Sequence, residues 1–371
     1  MPPLRPALGA PQHVCTSHGP ETQGTTRWTT ETYGGQQIGD LDFGHPGTIV
    51  YFETLVQHLV QNYPTLDGVH LDFIRYGDQA YGYNAVSLDR FRRVHGLPAN
   101  YRPTPADGLW SAWRRDRVTE LVRRVYIRTK AFDPTIEVSA ATITWGGIGS
   151  YNESDWPNSA AYRTVFQDWR SWLAEGIIDF AVPMHYFEEG NARSQAWYDG
   201  WIAWDHNHTG RRAIVPGVGA WLNTDLQVIH QINKALRPNE NGQRLAGVAL
   251  YSYNEPLAGT TFERRRTFMD QLKTSEFALP AAAPDWPWIV NPTTGHLQGI
   301  AIVGDTILSD YKVSLLKDGQ WVRDIPTSYD GWYGTIDLEP GAYSIYIENP
   351  LTSESVQHEV IIEVGRVTNG P

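Results

Sequence analysis

The chain contains 371 residues, 41% of them hydrophobic and 19% charged, which is typical of a globular protein of one large domain or two. A net charge of −11 argues against a general affinity for nucleic acid, because phosphate binding requires a basic surface. No apolar run approaches the roughly 20 residues of a membrane span, the chain shows no signal peptide, and its single cysteine, Cys15, cannot form an intrachain disulfide.

The first catalytic candidate follows a predicted helix and strand. Residues 1–47 are rich in Gly, Pro, Thr and Gln and show no convincing strand or helix. Apolar residues then recur at helical spacing over residues 48–63, and a short apolar run follows at 67–76. Because the C-terminal ends of parallel strands form the catalytic face of α/β barrels, Asp72 at the end of this run is a candidate catalytic carboxylate. The alternative is a structural Asp that caps the next turn.

Apolar strands and amphipathic helices alternate after Asp72, which predicts a parallel sheet covered by helices. The predicted strands centre near residues 70, 138, 180, 215 and 249, whereas a complete barrel needs eight. The expected fold class is therefore α/β, a (β/α)8 TIM-barrel type truncated at its N-terminus to about five β/α units. The helices that follow Asp72 are predicted near residues 110–132, 160–175, 192–206, 224–236 and 261–273. The long segment 77–109 either forms part of a substrate lid or contains an inserted helix near 87–95.

The C-terminal part has a different pattern. Residues 279–292 are rich in proline and are predicted to form a linker. Beyond them, short alternating segments separated by Gly, Asp and Pro turns predict an all-β sandwich. Its predicted strands are 296–303, 311–317, 332–338, 342–348 and 357–364. The predicted division is an irregular segment 1–35, a partial barrel 36–278, the linker 279–292 and the sandwich 293–371.

The motifs of the partial barrel resemble those of a bacterial family called glycosyl hydrolase-like 10. Asp-Gly-Val-His-Leu-Asp-Phe-Ile-Arg-Tyr at 67–76 is similar to the family's strand Asp-Gly-Ile-His-Leu-Asp-Tyr-Ile-Arg-Tyr. Leu-Asp-Phe-Gly-His-Pro at 41–46 is similar to its Leu-Asp-Pro-Gly-His-Pro element. Further matches lie at 113–116, 182–186 and 247–253, so the resemblance covers about residues 40–275.

The chain departs from the family pattern in two ways. Gly77 stands where the family usually has proline, and the first three β/α units of the family have no counterpart. The C-terminal strands are similar to the carboxypeptidase-regulatory and prealbumin-like sandwiches often appended to secreted enzymes. The resemblance therefore implies a secreted or cell-surface protein in its full-length form.

The resemblance implies glycoside hydrolysis, which normally uses two carboxyl groups. Asp72 is the first candidate. The candidates for the second are Glu188 and Glu189, which follow one predicted strand, Glu255, which follows the last one, and Asp42 from a preceding loop. Glu188 is favoured and Glu255 is second, although acids at such positions are more often plain loop residues. The predicted substrate-contacting residues are Asp42, His70, Arg75, Tyr76, Trp145, His185, Tyr186 and Trp221.

The roles of these residues stay open at the level of sequence. Arg75 would keep Asp72 ionised only if the strand bends, because residues three apart on a strand face opposite sides. His70 shares a face with Asp72 and either contacts substrate or packs in the barrel. Trp145 and Trp221 either stack on sugar rings or pack at the rim.

His185 and Tyr186 end one predicted strand facing opposite sides, so only one is expected in the cleft. A metal site formed by His70, Asp72 and His185 is a minor alternative. The sequence has no His-Glu-x-x-His, cysteine cluster, phosphate loop or nucleophile elbow. No metal and no cofactor are therefore predicted.

Three hypotheses remain. The leading one is a carboxylate-based glycoside hydrolase that acts on a poly- or oligosaccharide. The second is a catalytically inactive protein that binds glycans through the same cleft and the C-terminal sandwich. The third is a fragment without its own function, which self-associates through the open edges of its sheet.

Overall fold

The computed structural model describes residues 13–259 and 261–371. These residues form two compact units. The first unit comprises the chain up to Val69 together with Arg75–Val138 and Trp286–Pro371, and the second comprises His70–Ile74 and Ser139–Asp285. Within the described ranges, no helix has both the length and the apolar character that crossing a membrane requires.

The N-terminal part of the first unit contains regular structure that the sequence pattern does not reveal. Its short antiparallel strands β1 (Thr29–Glu31) and β2 (Gln37–Leu41) lie within residues 1–47, for which the sequence predicts no strand or helix and of which the first twelve fall outside the described range. Strands of three and five residues are too short to show a periodic pattern. The helices of this part are α1 (Val14–His18), α2 (Pro46–Asn62), α3 (Ala85–Val94) and α4 (Gly108–Phe132).

Local sequence signals explain where these helices begin. The imidazole of His45 accepts a hydrogen bond from the backbone N–H of Gly47, and Pro46 occupies the first position of α2. A carboxylate oxygen of Asp107 caps α4 by accepting from the N–H of Trp110. The helices pack through a buried aromatic cluster that includes Phe91, Trp110 and Trp113.

A curled sheet, mainly in the second unit, forms the half-barrel that the sequence predicts. The strands run in the order β3-β4-β5-β7-β8, with β6 also paired to β5, and the pairs from β4 to β8 are parallel. These strands are β3 (Gly68–Leu71), β4 (Glu137–Thr142), β5 (Phe180–His185), β6 (Ala213–Ile214), β7 (Gly217–Gly219) and β8 (Ala249–Tyr251). The helices are α5 (Ala160–Arg163), α6 (Trp169–Glu175), α7 (Ala192–His208), α8 (Asp225–Leu236) and α9 (Phe262–Thr274).

Two predicted elements are interrupted. The helix predicted over 160–175 is split into α5 and α6, because Phe166 has a positive φ of 56° that no α-helix accommodates. The following Gln167 is buried and bonds the end of β4, accepting from the N–H of Ile143 at 2.7 Å and donating to the carbonyl of Ala141 at 3.0 Å. The strand predicted near residue 215 is divided at Pro216, which has no N–H for a sheet hydrogen bond.

The C-terminal part of the first unit is all-β apart from the short helix α10 (Pro287–Val290). One sheet has the order β13-β12-β15-β16, a second has the order β14-β9-β17, and β10 pairs with β11. Its strands are β9 (Gly295–Ile300), β10 (Ile302–Val303), β11 (Thr306–Ile307), β12 (Lys312–Lys317), β13 (Gln320–Pro326), β14 (Trp332–Leu338), β15 (Gly341–Glu348), β16 (Ser355–Ile362) and β17 (Val367–Asn369). Buried aliphatic and tyrosine side chains from the two sheets form its core.

Arginines of α3 and α4 join these C-terminal strands to the helices of the same unit. Arg90 donates to Asp310 at 2.6 Å, and Arg124 donates to both carboxylate oxygens of Asp330, at 2.9 and 2.6 Å. Arg124 also donates to Glu53 of α2 at 2.9 Å. We call these contacts the arginine network. It links the strands to the helices through buried, charged hydrogen bonds.

Candidate functional site

One face of the sheet in the second unit is partly open to solvent. On β5, Phe180, Val182 and Met184 are partly exposed, whereas the intervening residues are more deeply buried. The buried side of the sheet packs on α8 and α9 through a cluster that includes Val218. We call the more accessible side the inner face, because it is the side that faces inwards in a barrel.

Three aromatic side chains meet at the carboxyl ends of neighbouring strands. Tyr186 follows β5, Trp221 lies in the turn after β7, and Tyr251 ends β8. The ring centroid of Tyr186 lies 4.9 Å from that of Trp221 and 5.3 Å from that of Tyr251. The centroids of Trp221 and Tyr251 are 5.2 Å apart. Tyr251 is 54% exposed. This group, the aromatic corner, offers ring surface at the edge where barrel enzymes bind substrate.

Glycines of β7 make room for the aromatic corner. A Cβ atom on Gly219 would lie 3.0 Å from Cα and 3.1 Å from Cβ of Tyr186. A Cβ atom on Gly217 would lie 2.9 Å from the carbonyl oxygen of Pro183 and 3.2 Å from Cε1 of the Tyr186 ring. All four distances are shorter than ordinary contacts, so β5 and β7 approach this closely only because β7 has no side chains at these positions.

Replacing Gly219 by Ala is expected to displace Tyr186 and to destabilise the protein by about 1–2 kcal/mol, the usual cost of overpacking. Chemical denaturation would measure the loss, and near-ultraviolet circular dichroism would report the altered packing of Tyr186 and Trp221. Gly247→Ala is the matched control, because a Cβ atom at Gly247 would meet only Val215, at 4.0 Å. Equal stability of the two variants would contradict the close approach of β5 and β7.

Asp72 lies at the same edge, directly after β3, and is exposed. Its Oδ1 accepts a hydrogen bond from the N–H of Phe73 at 2.8 Å, and Phe73 has a positive φ of 55°. Burial raises the pKa of Tyr186, and the nearby Tyr251 and Asp72 raise it further. The charge of Asp72 therefore acts on the aromatic corner.

His70 lies on the inner face two residues before Asp72. Its Nδ1 is 2.8 Å from Oγ of Ser139, which pairs with Phe180 of the same face. Burial lowers the pKa of His70, and the negative charge of Asp72 only partly opposes this effect. His70 is therefore neutral at physiological pH and has one donor and one acceptor nitrogen.

His185 lies on the opposite, buried side of β5 and has no exposed surface. Its Nε2 is 2.7 Å from a carboxylate oxygen of Asp205, and its Nδ1 is 3.0 Å from Oγ of Thr144. Both ring nitrogens thus have protein partners. The structure directs Tyr186, and not His185, toward the inner face.

The two acids after β5 have different surroundings. Glu188 is exposed, whereas the side chain of Glu189 is only 4% exposed. Glu189 accepts from Gln195 at 2.8 Å and from Lys234 at 3.1 Å, and Nδ1 of His230 lies 2.6 Å away. Burial alone would raise the pKa of Glu189, but hydrogen bonds and the charge of Lys234 outweigh it, so the pKa is lowered. Glu189 holds α7 and α8 together, while Glu188 is accessible to a substrate.

Replacing Glu189 by Gln is expected to lower the free energy of unfolding by about 2 kcal/mol at neutral pH, the usual effect of losing hydrogen bonds to a charged group. A lowered pKa in the folded state stabilises the protein above the pKa of an unfolded Glu, about 4.3, and this stabilisation disappears as the pH falls through the folded value. The difference between wild type and variant should therefore shrink between about pH 5 and pH 3. Denaturation curves at several pH values would test this, with the exposed neighbour Glu188→Gln as the control. A difference that does not change with pH would contradict the role given to the Glu189 charge.

Glu255 and Trp145 follow the ends of other strands. An oxygen of Glu255 lies 3.6 Å from a guanidinium nitrogen of Arg265, and its side chain is 45% exposed. Trp145, after β4, is 48% exposed. Among the described residues, no group of three or more His, Cys, Asp or Glu side chains is arranged to hold a metal ion.

The remaining predicted residues belong to the first unit. Asp42 has no exposed surface and accepts hydrogen bonds from Ser87 at 2.6 Å, Tyr76 at 3.2 Å and the N–H of Gly44 at 3.0 Å. Burial raises the pKa of Asp42. Tyr76 is buried, and Arg75 is partly exposed and donates to the carbonyl of Tyr76 at 3.3 Å. The structure thus places Asp42 and Tyr76 in the packing of this unit.

Sequence reasoning missed two residues of the edge in the second unit. Tyr251 completes the aromatic corner, and Ser139 is the partner of His70. The position of Tyr251 at the end of the last predicted strand was a usable signal, because it matches the position of Tyr186 after β5. Ser139 gave no comparable signal, since it lies inside a strand.

Residues 11–217, more than half of the chain, match the family model described as Glycosyl hydrolase-like 10. The chain belongs to the glycosyl hydrolase-like 10 family. It is 29% identical to the glycosyl hydrolase DigH of Escherichia coli K12 over 166 residues, which is 44% of this chain and 35% of DigH. It is 25% identical to the glycosyl hydrolase YngK of Bacillus subtilis over 276 residues, which is 68% of this chain and 49% of YngK.

This member of the glycosyl hydrolase-like 10 family spans less than half the length of each of these two relatives. Among solved structures, bee venom hyaluronidase in complex with a hyaluronic acid tetramer is similar with a TM-score of 0.40 and 12% identity, covering 66% of this chain and 79% of the hyaluronidase. This score is too low for any residue or activity of the hyaluronidase to be transferred.

Proposed function

We propose that this chain supplies the catalytic edge of a glycoside hydrolase, with Asp72 as one of its two carboxylates. The observation that carries the proposal is the position of Asp72, exposed after β3 and close enough to Tyr186 of the aromatic corner to influence its ionisation. A carboxylate beside exposed aromatic rings is the combination that sugar cleavage needs, because the rings bind the apolar face of the sugar. Membership of the family, and the names of both relatives, support the same activity.

In this proposal the sugar stacks on the accessible ring of Tyr251, and His70 forms hydrogen bonds with its hydroxyl groups. One carboxyl group protonates the glycosidic oxygen as the bond between that oxygen and the anomeric carbon breaks. The other carboxylate either activates the attacking water or forms a covalent intermediate that water hydrolyses. Asp72 takes one of these roles. Glu188, which is more exposed, and Glu255 are the proposed candidates for the other role.

The experiment is a screen for new reducing ends after incubation of the purified chain with purified polysaccharides. The panel includes a neutral hexose polymer, an N-acetylhexosamine polymer and a uronic acid polymer. Release by the wild type and not by Asp72→Asn would support the proposal. Binding of one polymer by both proteins, without release by either, would instead favour an inactive glycan-binding protein.

A further inference from the structure

A cavity in the first unit has the features of a binding site for a single sugar. It has a volume of about 270 Å³ and lies between the end of α4, the helix α10 and the sandwich. The volume is below the roughly 300–1,000 Å³ typical of drug-sized ligands, which suits one ring-sized unit. The aromatic and polar side chains in its lining are Tyr126, Lys130, Trp288, Thr294, His296 and Arg366.

The aromatic lining of the cavity is ordered by stacking. Trp288 is partly exposed and stacks on Trp286, with ring centroids 5.3 Å apart and planes 12° apart. Tyr126 and His296 meet edge to face, with centroids 6.1 Å apart. Aromatic side chains fixed in this way bind the apolar face of a sugar at little cost in conformational entropy.

The polar lining of the cavity is basic. Lys130 is 4% exposed, and its Nζ donates to the carbonyl of Ile136 at 2.7 Å and lies 5.2 Å above the ring of Tyr126. Nδ1 of His296 accepts from the N–H of Asp337 at 3.2 Å, which places the proton of a neutral imidazole on Nε2. Arg366 is exposed at the rim. The described residues that line the cavity include no carboxylate, and Asp337, outside the lining, accepts a hydrogen bond from Thr294 at 3.2 Å.

We propose that this cavity, formed by Trp288, Lys130, His296 and Arg366, binds a carboxylated sugar unit of the uronic acid class. Trp288 provides the stacking surface, and the basic side chains attract and orient the carboxylate. The site lies in a different unit from Asp72, so it would bind glycan whether or not that edge is catalytic. It is therefore independent of the proposed hydrolysis.

Affinity electrophoresis of the full chain tests this proposal with two forms of one polymer. De-esterified pectin exposes its carboxylates, whereas highly methyl-esterified pectin masks them. We expect retardation of the wild type by de-esterified pectin only. An acidic protein is repelled by polyanions in general, so retardation would indicate a local basic site. Equal retardation by both pectins, or by neither, would overturn the assignment to an acidic sugar.

Single-residue variants test whether the pectin binds in this cavity. Trp288→Ala should weaken the binding about tenfold, because the variant loses the stacking surface, and this loss corresponds to about 1.4 kcal/mol. Arg366→Gln should weaken it about threefold, as expected for an exposed ionic contact. Trp321→Ala is the matched control, since Trp321 is a 66% exposed tryptophan on β13 outside the cavity. Binding by Trp288→Ala equal to that of Trp321→Ala, in proteins with unchanged circular dichroism, would overturn the proposal.

Discussion

Asp72→Asn is expected to lower the rate of glycoside hydrolysis about a thousandfold, within the range typical of a lost catalytic acid or base. Asparagine keeps the size of the side chain and an oxygen that can accept from the N–H of Phe73, as Asp72 does at 2.8 Å. The turn after β3 should therefore be preserved. What the variant lacks is the negative charge and the ability to exchange a proton at that position.

The controls for this prediction separate catalysis from binding and identify the second carboxylate. Asp72→Asn should bind the substrate polymer as well as the wild type in affinity electrophoresis. The hydrolysis rates of Glu188→Gln and Glu255→Gln are measured in parallel. The variant whose rate falls as far as that of Asp72→Asn identifies the second carboxylate. Activity of Asp72→Asn above about a tenth of the wild-type value would refute a catalytic role for Asp72, because such a loss corresponds to only about 1.4 kcal/mol.

Arg124→Ala is expected to destabilise the protein by about 3 kcal/mol, the lower end of the usual cost of removing one partner from a buried ion pair, because the side chain of Asp330 is 32% exposed. The side chain of Arg124 is 2% exposed, and it binds Asp330 and Glu53 and lies 4.8 Å above the ring of Trp332. These carboxylates raise the pKa of Arg124, while its guanidinium lowers the pKa of Asp330 in spite of burial. Alanine would leave Asp330 partly buried without its strongest partner.

Arg128→Ala provides the matched comparison for Arg124. Arg128 is on the same helix and donates to the same oxygen of Glu53 at 3.1 Å, but its side chain is 38% exposed. An exposed pair contributes at most about 1 kcal/mol. Denaturation midpoints should therefore fall much further for Arg124→Ala than for Arg128→Ala. Equal midpoints would show that the arginine network does not hold the C-terminal strands against the helices.

The fold could be predicted where a local pattern decides it. The helix expected over 110–132 is α4, and the strand expected over 332–338 is β14 with the same limits. By contrast, β13 was missed because Arg323 and Asp324 interrupt its apolar pattern. Arg323 is partly exposed and donates to Thr335 of β14 at 3.0 Å, a contact that no local pattern reveals.

The arrangement of the candidate site depended on partners distant in sequence. Alternation along β5 required His185 and Tyr186 to face opposite sides. Which of them is buried is decided by Asp205, twenty residues later, whose carboxylate binds His185. The surroundings of Asp42 likewise depend on Ser87, which lies 45 residues further along the chain. Sequence patterns identify residue types and faces, but not these pairings.

The arginine network also bears on the order of folding during synthesis. Arg124 and Asp330 are separated by 206 positions, and the residues of the second unit from Ser139 to Asp285 lie between them. On the ribosome, α4 emerges long before Asp330, so Arg124 can bind Glu53 of α2 but not Asp330 while the later half-barrel strands are being made. The second unit can form its internal contacts first, because protein segments fold as they emerge from the ribosome. The first unit is completed last, and a ribosome stalled before residue 330 would leave Arg124 of α4 without the carboxylate of Asp330.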